Sequence, residues 1–395
     1  MSTSHEAGPP ADDVELAAYG DLVKQVYNTT DDAIRREWLL RAGHENVRVV
    51  RDGARVVGGL ILIPMGQWFG GRSVPMNGVA AVAVAPEHRG HGAATALMRA
   101  AVQEMAQTGF PLSALYPATQ PLYRAAGYER AGGEYRIAVP ARYMTGGDRE
   151  LVVRPATDAD VPAMEEAYRR RARSGNGNLD RGPNVWRRIR DPLAARVNGY
   201  VVEGASGIEG HVWFVTKETD APEFKLWCND LVALTPAAAR RLVAFLGDHR
   251  SMAGEVGWRS SPGDPLLAVL REQWEAVVRM WDAWMLRICD VGAALSLRGY
   301  SPGVSAEVHL DIAADEAVPQ NSGRWTLRVA GGRGEAVRGG RGDIRLHVRG
   351  LAALYTGFQS PAELRASGFA EGDDAALAVA AAAFTGPHPW MADHF

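Results

Sequence analysis

The chain has 395 residues, a length that predicts two to three domains. Hydrophobic residues make up 47% of it and charged residues 23%, proportions typical of a soluble globular protein. A net charge of −3 gives no sequence-wide basic surface for nucleic acid or a membrane, and no stretch approaches the ~20 apolar residues of a membrane span. Cys228 and Cys289 are the only cysteines, too few for a disulfide framework or a thiolate metal site. We therefore expect inert buried thiols, no metal and a reducing cytoplasmic location.

The first part of the chain alternates helical and strand patterns. Residues 1–12 are polar and predict a short disordered tail, and residues 13–150 are expected to form the first domain. The expected elements are a helix over 22–43 interrupted at Asn28-Thr29-Thr30, strands over 47–50, 56–65 and 111–116, and a helix over 121–126 closed by Gly127. Such alternation predicts layered α/β architecture.

The most informative motif covers residues 79–100, VAAVAVAPEHRGHGAATALMRA. An apolar strand pattern ends at Pro86, which cannot donate to a strand ladder, and a glycine-rich turn leads into an Ala/Leu/Met helix. Gly90 and Gly92 let the backbone turn tightly and approach a ligand without a Cβ between them. Because a helix N-terminus presents converging N–H donors and a favourable dipole, this loop is suited to bind a pyrophosphate.

The strand before the loop predicts the rest of the ligand. It would expose backbone groups of Val82, Ala83 and Val84 to an extended, amide-bearing molecule such as the pantetheine arm of coenzyme A. Three alternatives to acyl-coenzyme A exist. A ligand-free strand-to-helix turn has the same pattern, a Rossmann site would need a third glycine where the chain has alanine, and a Walker loop would need Gly-Lys-Ser/Thr. Acyl-coenzyme A fits the loop best.

Residues 151–290 predict a second domain that repeats the first. A strand and a helix open it, and Asn229–Leu246 (NDLVALTPAAARRLVAFL) repeats the earlier strand-proline-helix order. The repeat lacks both glycines, so close approach of the backbone to a pyrophosphate should fail there. We interpret residues 151–290 as a degenerate copy that supports the first domain and forms one wall of the substrate site.

Residues 291–395 predict a third, α+β domain. Strand patterns cover 304–312, 325–329 and 344–348, helical patterns cover 350–355 and 361–367, and an alanine run covers 375–384. The turns between Gly331 and Gly342 are rich in arginine. Acidic neighbours at Glu335 and Asp343 favour a solvated loop there over a nucleic-acid patch.

A family resemblance rests on several of these segments together. Arg89, Gly92 and Ala94 fit the R-x-x-G-x-A loop of the GCN5-related (GNAT) acetyltransferase superfamily. With YPATQPLYRAAGY (116–128), WMLRICDVGAALSLRGY (284–300), NSGRWTLRV (321–329) and a final Phe395, nearly the whole chain resembles the enhanced-intracellular-survival (Eis) acetyltransferases. The resemblance implies two tandem GNAT-like domains, the second degenerate, a C-terminal domain like sterol carrier proteins, and a homohexamer.

The resemblance also implies the roles of individual residues. Tyr123 would be the general acid and the C-terminal carboxylate of Phe395 the general base, with the last residues entering the active site. Tyr128 is the rival acid, and a tyrosine in the core or a frayed terminus are the alternatives without function. The residues that would bind acetyl-coenzyme A are Val82, Ala83, Val84, Arg89, Gly90, His91, Gly92, Ala93, Ala94, Thr95, Ala118 and Thr119.

The acceptor is the least determined feature of the sequence. An aminoglycoside-like or polyamine acceptor would need carboxylates at the cleft, and the candidate acceptor-binding residues are Asp32, Trp38 and Asp393. A protein lysine or a dedicated natural-product amine is the alternative acceptor. Outside enzymes, the alternative is a carrier that holds an apolar ligand in the third domain.

Overall fold

The computed structural model describes residues 5–27, 37, 40–193 and 195–395. The chain divides into two units: Met1–Gly132, Ala283–Pro389 and Phe395 form the first, and Gly133–Asp282 and Trp390–His394 form the second. None of the helices within the described ranges is long and apolar enough to cross a membrane.

Strands and helices alternate along most of the chain. The strands are β1 (His5–Gly8), β2 (Val47–Asp52), β3 (Arg55–Phe69), β4 (Arg72–Val84), β5 (Leu112–Leu115), β6 (Glu129–Pro140), β7 (Val152–Pro155), β8 (Leu179–Asp180), β9 (Asn198–Gly204), β10 (Gly207–Lys217), β11 (Phe224–Ala233), β12 (Ala253–Ser260), β13 (Val277–Ile288), β14 (Ala306–Ile312), β15 (Gly323–Ala330), β16 (Arg333–Arg338), β17 (Ile344–Leu346) and β18 (Ala370–Glu371). The helices are α1 (Asp13–Tyr27), α2 (Ala93–Gln107), α3 (Gln120–Ala125), α4 (Val161–Arg173), α5 (Pro183–Arg190), α6 (Pro236–Gly247), α7 (Pro265–Val269), α8 (Val291–Leu297), α9 (Val348–Thr356), α10 (Pro361–Ala366) and α11 (Asp374–Ala383).

The first unit contains a mixed sheet in the order β1-β2-β3-β4-β5-β13. All neighbours are antiparallel except β4 and β5, which are parallel and joined through α2. Helix α2 forms because Leu97, Met98, Ala101, Val102 and Met105 give it one apolar face, and all five are buried against the sheet. The α/β layering predicted around the glycine-rich loop is confirmed.

Two predictions at the N-terminus are corrected. Strand β1, within the tail expected to be disordered, pairs antiparallel with β2 from His5 opposite Asp52 to Gly8 opposite Val49. Backbone pairing is available to any sequence, so polar composition did not reveal it. Helix α1 begins at Asp13, nine residues before the predicted start at Leu22, with Asp13 and Glu15 in its first turn.

The first unit also contains a five-stranded sheet in the order β16-β15-β14-β17-β18. The strand predictions over 304–312, 325–329 and 344–348 correspond to β14, β15 and β17, and the two predicted helices correspond to α9 and α10. The alanine run forms most of α11. The arginine-rich turns hold one element that was not predicted, β16, which pairs with β15 from Trp325 opposite Arg338 to Ala330 opposite Arg333.

The second unit repeats the connections of the first around its own apolar core. Its sheet has the order β6-β12-β11-β10-β9-β7, in which β11 and β12 are parallel and joined through α6. Leu242, Val243 and Leu246 of α6 are buried against this sheet. Because an antiparallel hairpin followed by a parallel helix crossover occurs in both units, the predicted duplication is confirmed.

Both cysteines are buried, as predicted. Burial raises the pKa of the Cys289 thiol to about 12 and raises the pKa of Cys228 as well. Since the thiolate is the reactive form, both side chains act as small apolar core groups.

Candidate active site

Strands β4 and β5 of the first unit lie side by side over only three residue pairs. Their parallel register runs from Met76 opposite Leu112 to Gly78 opposite Ala114, whereas β4 stays paired with β3 as far as Val84 opposite Gly58. Beyond Gly78, the edge of β4 that faces away from β3 has no strand partner among the described residues. Unpaired N–H and C=O groups of a strand edge can bind an extended ligand.

The antiparallel register decides which backbone groups of β4 are available. The Ala85 N–H donates to the Val57 carbonyl at 2.9 Å, so Ala83, two residues earlier, directs its N–H and C=O toward β3. Val84 lies between them and directs its backbone groups away from β3. The sequence predicts ligand contacts from Val82, Ala83 and Val84 alike, and Ala83 does not fit because its backbone groups are used within the sheet.

A β-bulge shapes the same edge. The β3–β4 register shifts between Gly59 and Ile61, and Ala81 adopts a φ of 52° without being glycine. The Tyr19 hydroxyl donates to the Ala81 carbonyl at 2.8 Å, and the Tyr27 hydroxyl donates to the Val82 carbonyl at 3.3 Å. Helix α1 thus holds the bulge in place, a role that no feature of the sequence near Tyr19 or Tyr27 predicted.

The glycine-rich loop presents an open helix N-terminus. Gly90 and Gly92 have φ values of 79° and 88°, and nothing lies within 4 Å of a Cβ built on either of them. Gly92 is the N-cap of α2, and no side chain caps the helix. The glycines are therefore needed for their backbone conformation, and the N–H groups of Ala93, Ala94 and Thr95 remain for a ligand. Arg89 and His91 of the loop are exposed.

The corresponding helix of the second unit is closed. Thr235 is the N-cap of α6, and its Oγ1 accepts a hydrogen bond from the Ala238 N–H at 3.1 Å. The same hydroxyl donates to Glu209 Oε2 at 2.6 Å. A side-chain cap and a neighbouring carboxylate occupy the place where a phosphate would bind in the first unit. This explains physically why the second copy is degenerate.

Replacing Gly92 with alanine tests the loop. We expect the Michaelis constant for acetyl-coenzyme A to rise about 10-fold, because an alanine at a left-handed φ costs about 1 kcal/mol and shifts the N–H groups. Gly53→Ala is the matched control, since Gly53 has a φ of 59° and equally open surroundings in the β2–β3 turn. Steady-state kinetics should show an unchanged Michaelis constant in the control. Equal values for both variants would contradict a ligand role of the loop.

Helix α3 carries the candidate general acid. Thr119 is its N-cap, and Ala118 and Thr119 are exposed at its start. Tyr123 is buried, its hydroxyl has no hydrogen-bond partner among the described residues, and burial raises its pKa to about 12. The Tyr128 hydroxyl shares a buried hydrogen bond with Ser113 Oγ at 2.8 Å. The Tyr128 hydroxyl therefore has a structural role, whereas that of Tyr123 has none among the described residues.

Phe395 lies beside Gly78, the last residue of β4 that pairs with β5. A Cβ added at Gly78 would lie 2.5 Å from the Phe395 ring, so the ring occupies the space that the glycine leaves. The Tyr116 ring, just after β5, packs edge-on against it with centroids 5.9 Å apart. Phe395 is buried.

Asp393 does not fit its predicted role as an acceptor-binding carboxylate. Its side chain is 4% exposed and accepts hydrogen bonds from Arg181 Nε at 3.0 Å and from the Tyr168 hydroxyl at 3.2 Å. Arg181 also donates to Asp230 at 2.9 and 3.0 Å, and His211 lies 2.9 Å from the same carboxylate. Two other candidates for the acceptor site, Asp32 and Trp38, lie outside the described residues.

The residues of this buried network stabilise one another electrostatically. The Arg181 guanidinium holds the pKa of Asp230 well below its usual range, and the two carboxylates raise the pKa of Arg181. The guanidinium also lies 3.4 Å from the centroid of the Tyr168 ring. Because every charge has a partner, the network anchors the segment Trp390–His394 within the second unit.

The backbone of the same segment is also fixed. The Trp390 N–H donates to the Asn176 carbonyl at 3.0 Å, and the Met391 N–H donates to the Gly133 carbonyl at 3.1 Å. The Arg171 guanidinium lies 4.6 Å from the centroid of the Trp390 ring. The tail thus takes one ordered path through the second unit before it reaches Phe395.

Comparisons with known proteins agree with this arrangement. Models of three families match the chain: an acetyltransferase (GNAT) domain over residues 10–131, a second acetyltransferase (GNAT) domain over 177–288 and a sterol carrier protein domain over 291–392. The solved structure of a GCN5-related N-acetyltransferase from Anabaena variabilis is 36% identical, with a TM-score of 0.94 over 99% of this chain and 100% of that one.

Two relatives extend the similarity. A protein of Streptomyces avermitilis described as an uncharacterized N-acetyltransferase is 30% identical over 82% of this chain and 83% of its own. N-acetyltransferase Eis of Mycobacterium tuberculosis is 26% identical over 84% of each chain. The predicted order of two GNAT-like domains and a sterol-carrier-like domain is confirmed.

Proposed function

The chain belongs to the enhanced-intracellular-survival family of GCN5-related N-acetyltransferases, and from this premise we propose that it transfers an acetyl group to an amino group of a small molecule. We assign Tyr123 as the general acid and the carboxylate of Phe395 as the general base. The observation that carries the proposal is the burial of Phe395 against Gly78, at the point where β4 parts from β5.

GNAT acetyltransferases use acetyl-coenzyme A, which supplies a thioester carbonyl to the amine. The open N-terminus of α2, from Gly90 to Thr95, fits its pyrophosphate because the helix offers N–H donors and no side-chain cap. The edge of β4 at Val82 and Val84 has no strand partner among the described residues and fits an amide-bearing arm, although side chains already donate to both carbonyls. The Val84 N–H is a candidate oxyanion donor. We assign Ala118 and Thr119, which are exposed at the start of α3, to the pantetheine end.

Tyr123 is suited to return a proton to the leaving thiolate. A pKa of about 12 keeps the phenol protonated at neutral pH, so the proton is always available. Burial disfavours every anion, and a thiolate formed near Tyr123 becomes more basic for the same reason. The ordinary thiol pKa of about 8.5 therefore rises toward that of the tyrosine and eases the proton transfer.

The carboxylate of Phe395 is the proposed base. A C-terminal carboxyl has an ordinary pKa of about 3.5, so it is ionised at neutral pH but only weakly basic. We assign it removal of the ammonium proton through a water molecule.

Adding one glycine after Phe395 tests this assignment. The extension moves the carboxylate by one residue and leaves the buried ring in place. We expect turnover to fall about 100-fold because the base loses its position, with an unchanged Michaelis constant for acetyl-coenzyme A. The measurement is steady-state release of coenzyme A thiol. Undiminished turnover in the extended protein would rule out the carboxylate as the base.

The family resemblance suggests aminoglycoside-like molecules or polyamines as acceptors, with a protein lysine or a dedicated natural-product amine as the alternative. Thiol release from acetyl-coenzyme A, measured against a panel of aminoglycosides, polyamines and lysine peptides, tests the acceptor class. Acceptor-dependent release supports the proposal. Absence of both release and acetyl-coenzyme A binding contradicts it. Assembly into a homohexamer stays a prediction from the family resemblance.

One cavity of the third domain is poorly suited to the apolar ligand of a carrier. A cavity of about 200 Å³ opens beside β14 and α11. Its lining includes the charged or polar residues Glu307, His309, Arg341, Asp343 and Asp373. An apolar ligand would have to displace water from these groups without replacing their hydrogen bonds, which is unfavourable.

A further inference from the structure

Ala81 of β4 has an unusual backbone. It is the one residue other than glycine that has a positive φ within the described ranges, at 52°. This left-handed conformation is unfavourable for alanine, because the Cβ atom crowds the following carbonyl oxygen. Residues held in such conformations cluster at functional sites, where the surrounding structure keeps them in place. A contact that holds Ala81 therefore bears on what β4 does.

Ala81 belongs to the β-bulge of β4. Ala80 lies opposite Ile61 of β3. Ala83, three positions later on β4, lies opposite Gly59, only two positions from Ile61 on β3. Strand β4 thus has two residues where β3 has one. Such an insertion takes the extra residue out of the ladder and shifts the alternation of the following backbone by one residue.

The shift decides which N–H reaches the open edge of β4, the side of the strand beyond Gly78 that faces away from β3. With the bulge, the Ala85 N–H donates to the Val57 carbonyl, and the Val84 N–H is directed away from β3. Without the extra residue, Val84 would lie opposite Val57, and its N–H would be used within the sheet. The bulge therefore makes the Val84 N–H available as the candidate oxyanion donor.

The side chain of Tyr19 holds the extra residue in place. Its hydroxyl donates to the Ala81 carbonyl at 2.8 Å, and the tyrosine is fully buried beneath α1. Burial raises the pKa of Tyr19 well above its usual value, so the hydroxyl stays protonated and remains a donor. The hydrogen bond satisfies a carbonyl that the bulge removes from the ladder.

Strand β3 leaves room for the Tyr19 ring. A Cβ added at Gly59 would lie 2.6 Å from a carbon of that ring, which is too close for any side chain. A glycine inside a strand commonly marks such a close approach. Because Gly59 lies opposite Ala83, directly beside the bulge, the ring reaches Ala81 over this glycine. We call Tyr19, Gly59 and Ala81 the bulge clamp.

We propose that Tyr19 is a positioning residue for acetyl transfer: through the bulge clamp it keeps β4 in the register that directs the Val84 N–H at acetyl-coenzyme A. The inference rests on the proposed function. An oxyanion donor is effective when it is fixed in place before charge develops on the carbonyl. The competing register would satisfy the same N–H within the sheet, so a contact must favour the bulged one. Tyr19 acts only through Ala81.

The experiment compares Tyr19→Phe with the matched control Tyr300→Phe. The buried Tyr300 hydroxyl also donates to a backbone carbonyl, that of Leu295, at 2.7 Å in the third domain. Both variants lose one such bond, so both should have a lower Tm. Only Tyr19→Phe should lower kcat/KM for acetyl-coenzyme A, about 10-fold, because the displaced oxyanion donor loses part of its effect. Steady-state thiol release measures the difference.

A second substitution separates positioning from stability. Adding Ala81→Gly to Tyr19→Phe should return kcat/KM to within about 3-fold of the unmodified protein, because glycine adopts a left-handed φ without the hydroxyl. Ala80→Gly in the same background is the control. Ala80 pairs with Ile61 before the bulge and has no positive φ, so a glycine there should restore nothing. Loss of packing around Tyr19 would not be repaired by a glycine at either position.

Binding of acetyl-coenzyme A, followed by calorimetry without an acceptor, separates the inference from the proposed function. We expect weaker binding in Tyr19→Phe, recovery on adding Ala81→Gly, and unchanged binding in Tyr300→Phe. This pattern without thiol release from any acceptor supports the positioning role and contradicts only the transferase activity. If Tyr19→Phe matches Tyr300→Phe in kinetics and binding, or if Ala81→Gly relieves nothing, the inference is overturned and the proposed function stands.

Discussion

Replacing Tyr123 with phenylalanine is expected to lower kcat for acetyl transfer about 100-fold or more, the contribution usual for general acid catalysis. The ring of phenylalanine fills the same buried space. The Tyr123 hydroxyl, which the variant loses, has no hydrogen-bond partner among the described residues. The free energy of unfolding should therefore change little. Steady-state thiol release with a saturating acceptor measures the effect, and acetyl-coenzyme A binding should stay near that of the unmodified protein.

Tyr128→Phe is the matched control for this result. The Tyr128 hydroxyl is hydrogen-bonded to Ser113 Oγ, and removing the tyrosine hydroxyl leaves the buried serine hydroxyl unpaired. We expect a loss of about 1–3 kcal/mol in the free energy of unfolding and a small change in kcat. The opposite pattern, with turnover lost in Tyr128→Phe and kept in Tyr123→Phe, would identify Tyr128 as the acid.

Replacing Arg181 with methionine should lower the free energy of unfolding by about 3–5 kcal/mol, among the largest effects available to a single substitution. The change removes the only guanidinium that Asp230 and Asp393 share within the described residues and leaves two carboxylates buried together. Urea denaturation, followed by tryptophan fluorescence, measures the change in the free energy of unfolding. Arg190→Met, which removes a partly exposed pair with Glu165, should cost less than about 1 kcal/mol.

The dependence on pH gives an independent measure of the same network. The pKa of Asp230 is lowered in the folded protein, so its ionisation stabilises the fold above the unfolded pKa of about 3.9 and stops doing so as the pH falls. The unmodified protein should therefore lose this contribution on acidification. Arg181→Met should show a flatter profile over that range, and identical profiles for the two proteins would contradict the assignment.

The role that the structure gives Asp393 differs from the one that the sequence predicted. Asp393 was expected to bind an acceptor cation, but its carboxylate belongs to the Arg181 network and fixes the tail.

The sequence by itself determined the features that lie within a short stretch of chain. The glycine-rich loop, the end of β4 before Pro86 and the apolar face of α2 could all be predicted because each depends on neighbouring residues. The loss of both glycines likewise predicted that the second copy cannot bind a pyrophosphate. The structure added the reason, which is the Thr235 cap on α6.

Only the tertiary structure decided which distant residues meet. Tyr19 contacts the bulge of β4 across 62 positions, and Asp393 bonds to Arg181 across 212 and to Tyr168 across 225. Periodicity and local motifs describe a residue by its neighbours in the chain, so they carry no information about such partners.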